Sequence, residues 1–160
     1  MKRALAIFCL VSTTACGPTV DLAKAVAPES VTTGWADGGA VAGKNKIVPS
    51  VSFRLKNVSD QELGPLQMNA VFRRVNDPAE WSSGYLANAA ASELPPGGET
   101  STLTIMGQQG YTGTDDREAM LRNSQFVDAK VELYVKSGSS NWTRIGEYPV
   151  ARELLSGPNH

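Results

Sequence analysis

The chain has a single histidine, and it is the last residue, His160. That removes Ser-His-Asp hydrolysis, histidine general-base chemistry and any multi-histidine metal site from the options. Cysteine is almost as scarce, with only Cys9 and Cys16 in 160 residues. No apolar run approaches the ~18–20 residues that a membrane-spanning helix needs. A surplus of positive charge is missing as well. The 15 basic and 16 acidic side chains leave a formal net charge of −1, which argues against nucleic acid as a partner. No glycine-rich phosphate loop follows a strand pattern. What is present is ordinary for one folded domain: 41% hydrophobic and 19% charged residues are too apolar for a disordered chain. Fifteen Gly and nine Pro favour short strands joined by turns over long helices.

The first residues read as an export address. Met1-Lys2-Arg3 is basic, Ala4 to Val11 is apolar, and Ser12-Thr13-Thr14-Ala15 is small and uncharged before Cys16. A basic head, an apolar middle and a small-residue cleavage site are the three parts of a secretory signal. As a helix, the apolar part reaches ~12 Å, too little for a hydrocarbon core of ~30 Å. Thr13-Thr14-Ala15-Cys16 resembles the lipobox read by the bacterial lipoprotein signal peptidase. Thr13 stands where that family usually has a large aliphatic residue.

Cysteine arithmetic points the same way. Removing residues 1–15 as a signal peptide discards Cys9 and leaves Cys16 as the lone thiol of an exported chain. No internal disulfide can form, and a thioether to a lipid accounts for the leftover sulfur. The other reading is ordinary signal-peptidase cleavage at the same bond, with a free thiol at the new N-terminus. The lipobox resemblance implies a membrane partner through a lipid on Cys16. Gly17, rather than Asp, in the next position implies outer-membrane placement, facing the periplasm or the cell surface. Loss of Lys2 and Arg3 takes the formal charge from −1 to −3, so attachment would come from acyl chains and not from basic residues.

Residues 16–43 read as a lipid-attached tether, with a first edge strand expected over Val31–Trp35 and Trp35 as a core contact. Residues 44–155 read as the folded domain. Val51, Phe53 and Leu55 alternate with Ser52, Arg54 and Lys56, the period of a half-buried strand. Leu66 to Val75 alternates too, interrupted by Val71 on its polar side. Strands follow at Trp81–Leu86, Thr100–Met106, Phe126–Lys136 and Trp142–Val150. In Phe126–Lys136 the residues Val127, Ala129, Val131, Leu133 and Val135 face one way, and Asp128, Lys130, Glu132 and Tyr134 the other. Turn chemistry stands at Asn57–Asp60, Asn76–Pro78, Leu94–Glu99 and Ser137–Ser140. One helix is expected after Asp115, which has capping-box spacing to Glu118. The pattern predicts a mostly β, antiparallel sandwich with one short inserted helix.

The run Phe53-x-Leu55-Lys56-Asn57-x-Ser59-Asp60-x-x-Leu63, then Ala70-Val71-Phe72, Ser83-Gly84-Tyr85-Leu86 and Leu94-Pro95-Pro96-Gly97-Gly98-Glu99, resembles the FxLYD-type immunoglobulin-like domains of bacterial envelope proteins. The likeness covers Val51 to Ile105. Gln108 to Asn123 and the doubled Pro and Gly at 95–98 depart from it. The resemblance implies an immunoglobulin-like sandwich and no catalytic residues.

Candidate sites are few. Asp115, Asp116 and Glu118 suit a helix start better than a metal. Asp77 and Glu80 beside Trp81 raise a carboxylate-dependent hydrolase as the remotest reading. Asn57-Val58-Ser59 and Asn141-Trp142-Thr143 match glycosylation acceptors and are read as turns. The aromatic set is more informative: Trp81, Tyr85, Tyr134 and Trp142 are the candidate ligand or partner contacts. Tyr134 falls on the outward face of its strand, with Trp142 expected beside it on the partner strand. Core or cross-strand packing is the competing reading of all four. The expectation is a non-enzymatic envelope lipoprotein that presents a small sandwich to another envelope protein or surface, with no cofactor, metal or nucleic acid. The alternative is a soluble periplasmic module for a carbohydrate or small ligand.

Overall fold

The computed structural model describes residues 20–155. The expected signal peptide 1–15, the expected lipidation site Cys16, Gly17 and the last residues 156–160 lie outside the described residues. The element order is α1 (Leu22–Ala25), β1 (Val26–Val41), β2 (Lys44–Asn57), β3 (Leu66–Arg74), β4 (Ser82–Ala90), β5 (Leu103–Met106), β6 (Tyr111–Gly113), α2 (Arg117–Arg122), β7 (Ala129–Ser137) and β8 (Thr143–Pro149). Two antiparallel sheets form. One runs β1-β2-β5, with β6 pairing further along the same side of β2, and the other runs β4-β3-β7-β8. The chain crosses between the sheets at β2–β3, β4–β5 and β6–β7. This is the antiparallel sandwich that the alternation predicts, with the immunoglobulin-like arrangement that the resemblance implies.

Period-two burial builds the core. Val51, Phe53 and Leu55 of β2, Leu66, Met68, Ala70 and Phe72 of β3, and Val131, Leu133 and Val135 of β7 are all buried. Each strand gives one face to the space between the sheets. Glycine is required where backbones close in. A Cβ on Gly84 would meet the Met106 carbonyl oxygen at 2.3 Å, and one on Gly110 would meet that of Ile47 at 1.9 Å. Only residues without side chains let β4 approach β5, and the chain before β6 approach β2.

Several sequence expectations need correction. The segment expected as a tether through residue 43 is part of the sandwich from Leu22 onward. Leu22, Ala25 and Val26 are buried, and β1 pairs with β2 from Val26↔Asn57 to Val41↔Lys44. The tether reading misjudged the Ala, Gly and Pro content of the segment, which an edge strand tolerates when two bulges interrupt its ladder. The expected edge strand at Val31–Trp35 exists but spans 16 residues. A second short helix, α1, joins the expected one. The cap of α2 is Asp116, not Asp115; its carboxylate accepts the Ala119 N–H at 2.7 Å. The β1 edge is covered rather than bare. Trp35 N–H donates to the Glu153 carbonyl, and Leu155 N–H to that of Trp35, both at 2.8 Å.

Asn57 explains its place in the Lys56-Asn57-x-Ser59 motif. Its side chain is fully buried. The amide donates to the carbonyls of Gln61 at 2.7 Å and Leu94 at 2.8 Å, and its oxygen accepts from Ser59 N–H and Oγ. One side chain therefore ties the turn after β2 to the loop before Pro95. Replacing Asn57 by Leu leaves those backbone groups unpaired. The variant is expected to lose ~2–4 kcal/mol of stability in urea unfolding. A loss within experimental error would refute this role.

Candidate interaction face

Strict alternation places the even members of β3 inside and the odd members outside. Gln67, Asn69, Val71 and Arg73 therefore line the outer face of the four-stranded sheet, beside Lys130, Glu132, Tyr134 and Lys136 of β7. Across the four strands, Tyr85, Asn69, Tyr134 and Arg144 form one row. Ser83, Val71, Glu132 and Glu147 form the next.

Glu132 is the centre of this face. It is only 6% exposed although it points away from the core. Arg73 Nε donates to its Oε2 at 3.2 Å, and the Tyr134 hydroxyl donates to the same oxygen at 2.8 Å. Lys130 and Arg144 each stand 3.8 Å from its other oxygen. Glu147 lies directly opposite Glu132 on β8. Two like charges in that position repel, and the same two cations bridge them: Lys130 stands 3.2 Å and Arg144 3.3 Å from Glu147. Burial alone pushes the Glu132 carboxyl up, but the hydrogen bonds from Tyr134 and Arg73 and the neighbouring positive charges outweigh it. The net result lies below the usual glutamate range. Tyr134 moves the opposite way. Its hydrogen bond to Glu132, then burial, hold the phenol above its ordinary value.

The aromatic residues separate into two groups. Trp81 is half-buried and packs against the core. It packs on Trp35 at 6.1 Å and on Tyr111 at 5.0 Å between ring centroids, and Phe126 completes the cluster 4.8 Å from Trp35. Tyr85 and Trp142 are the exposed pair. They are 54% and 38% exposed and meet edge to face at 6.1 Å and 84°. The Tyr85 hydroxyl donates to Gln67 Oε1 at 2.7 Å, and Lys136 Nζ stands 4.9 Å over the Trp142 ring. The expected pairing of Trp142 with Tyr134 is not formed. Arg144 occupies the position across from Tyr134, because Trp142 precedes β8 and the β7–β8 ladder has a register shift there. The structure thus gathers Tyr85, Tyr134 and Trp142 on one face and leaves Trp81 off it.

The other candidates are spent locally. The Asp77 carboxylate accepts from Ala79 N–H and Arg74, which hold it below the usual carboxylate range. Asp116 caps its helix. A cavity of about 190 Å³ lies between β6 and α2, lined by Tyr111, Met120 and Phe126 among others; Trp81, Tyr85 and Trp142 do not line it. Among the described residues no group of three or more His, Cys, Asp or Glu is placed to hold a metal ion. Among them, too, no helix is long and apolar enough to cross a membrane.

The charges around Glu132 were not singled out in the sequence. The signal was the alternation Lys130-x-Glu132-x-Tyr134-x-Lys136, but the partners Arg73 and Arg144 come from strands 59 and 12 residues away in number. Because the Glu132 value is depressed on folding, its contribution is present above the ordinary glutamate pKa of ~4.3 and is lost as pH falls through the lower folded value. Glu132→Gln is expected to cost about 1.5–3 kcal/mol at neutral pH. The gap to the wild type should shrink as urea unfolding is repeated down to about pH 3. A gap that stays constant over that range would show that the carboxylate charge is not what holds the network.

No family model matches the chain, and no curated protein matches it in sequence. One solved structure, described as the X-ray structure of Northeast Structural Genomics Consortium target SoR45, is similar over 87% of this chain and 96% of its own, at 15% identity and a TM-score of 0.47.

Proposed function

We propose that the chain is a non-enzymatic lipoprotein of the cell envelope, and that its four-stranded sheet is the face it offers to a partner. The observation that carries this reading is the exposed Tyr85–Trp142 pair on a sheet face whose polar side chains are fixed by their contacts with Glu132. Aromatic rings and arginine are the residue types enriched where proteins meet. A face with its side chains already held also loses little rotamer freedom on binding. The export segment and the lone mature Cys16 supply the compartment and the membrane partner, and Gly17 favours the outer membrane.

On this reading the anchor would be short. Only Gly17-Pro18-Thr19 separates Cys16 from Val20. The covalent chain between them spans at most ~14 Å. A lipid on Cys16 would therefore hold the sandwich against the head groups instead of lifting it on a long tether. Val20 lines a small cavity with Leu63, Ser137 and Ser140, so that end of the sandwich would lie nearest the bilayer. The strands would then run away from the membrane and leave the sheet face open to the side.

The soluble ligand-binding module is the second reading. Its rings would have to line a pocket, and Trp81 is packed against Trp35 and Tyr111 instead.

Two measurements test the proposal. Cells expressing the protein are expected to incorporate labelled fatty acid, and Cys16→Ala to abolish the label; label that survives the substitution removes the anchor. A photo-crosslinking residue at position 85 in intact cells is expected to capture a partner, while one at Lys44, on the other sheet, does not.

A further inference from the structure

We infer that the partner docks on the four-stranded sheet through an acidic polypeptide segment, a conclusion that rests on the binding-face reading above. The argument starts from charge. The face carries Arg73, Lys130, Lys136 and Arg144 against Glu132 and Glu147. That is a surplus of two positive charges on a chain whose formal net charge is −1. The rest of the molecule therefore carries the negative excess, and the positive charge is concentrated where the exposed rings are. Neighbouring ion pairs do not cancel it, because Arg74 is matched by Asp77, and Arg152 by Asp128. Glu132 is nearly out of contact with water, so it acts as the post on which Arg73, Tyr134 and Arg144 are held. Lys136 stands at the surface over the Trp142 ring, and Arg144, while reaching Glu132 and Glu147, keeps about half of its side chain exposed on the same face.

The ring geometry selects among anionic partners. A polysaccharide stacks its sugar rings on aromatic faces that present a common platform. Here the two rings stand at 84° to each other, and Lys136 covers one face of Trp142. That arrangement is a corner, with a cation at one side. It suits an apolar side chain set between carboxylates on an extended segment, with apolar contact at the rings and charge pairing at Lys136 and Arg144.

The test uses the purified full chain and two probes. One is a short dye-labelled peptide of alternating Glu and Leu, and the other is polygalacturonate. Peptide binding, read by fluorescence anisotropy, is expected to weaken as salt rises from about 50 to about 200 mM. The Lys136→Glu/Arg144→Glu variant is expected to bind at least ~10-fold more weakly. Trp142→Ala is expected to weaken binding as well, and Lys44→Glu to leave it unchanged. Circular dichroism checks that each variant is folded, and Arg144→Gln serves if the double reversal is not. Equal binding by the charge-reversed face, or equal binding of a Lys-Leu peptide, overturns the inference. So does binding of polygalacturonate in preference to the peptide. In cells, a crosslink from position 85 to a partner segment without acidic residues overturns this inference and leaves the binding face standing. Absence of any crosslink from that position removes the binding face itself.

Discussion

The structure depends on one constraint: the apolar faces of β2, β3 and β7 must meet each other between two sheets. Phe53, Leu55, Phe72, Met68, Leu133 and Val135 are fully buried there. No disulfide among the described residues supports the fold, so this burial carries it. Because successive side chains of a strand point to opposite faces, the same register also decides what lies outside. A slip of one residue in β3 would expose Met68 and Phe72 and would bury Asn69 and Arg73. The row Tyr85, Asn69, Tyr134 and Arg144 is thus a consequence of core packing.

The outer face has its own order. Glu132 and Glu147 are directly opposed, an arrangement that persists because Lys130 and Arg144 each reach both carboxylates. Arg73 and the Tyr134 hydroxyl complete the ring around Glu132. Removing water from a carboxylate costs free energy, and these partners offset it. The result is a fixed pattern of charge next to two exposed rings. Long side chains already held in place would lose less freedom in any binding event.

Much of the architecture was legible in the alternation. The inward and outward members of β2, β3 and β7 follow the period of two, and the turn at Asn57–Asp60 follows from the hydrogen-bonding capacity of its side chains. What failed to be legible has a common cause. Residues 20–41 have a composition that suits a linker, but their fate depended on whether β2 left an edge to be paired, and a distant strand settles that. The cap of α2 falls on Asp116, whose extended backbone places its carboxylate to accept the Ala119 N–H. Trp81 and Tyr85 stand four residues apart in the same stretch, and only the packing of Trp35 and Tyr111 on the first separates a half-buried ring at the core's edge from an exposed one.

The strand periods and the face each strand buries were legible in the amino-acid order, because these are properties of composition and of neighbours two residues apart. The tertiary structure decided the cross-strand register, and with it the meeting of Arg73 and Arg144 at Glu132 and of Trp142 with Tyr85. Those contacts join residues far apart in the chain, and their geometry exists only once the sheet has closed on its core.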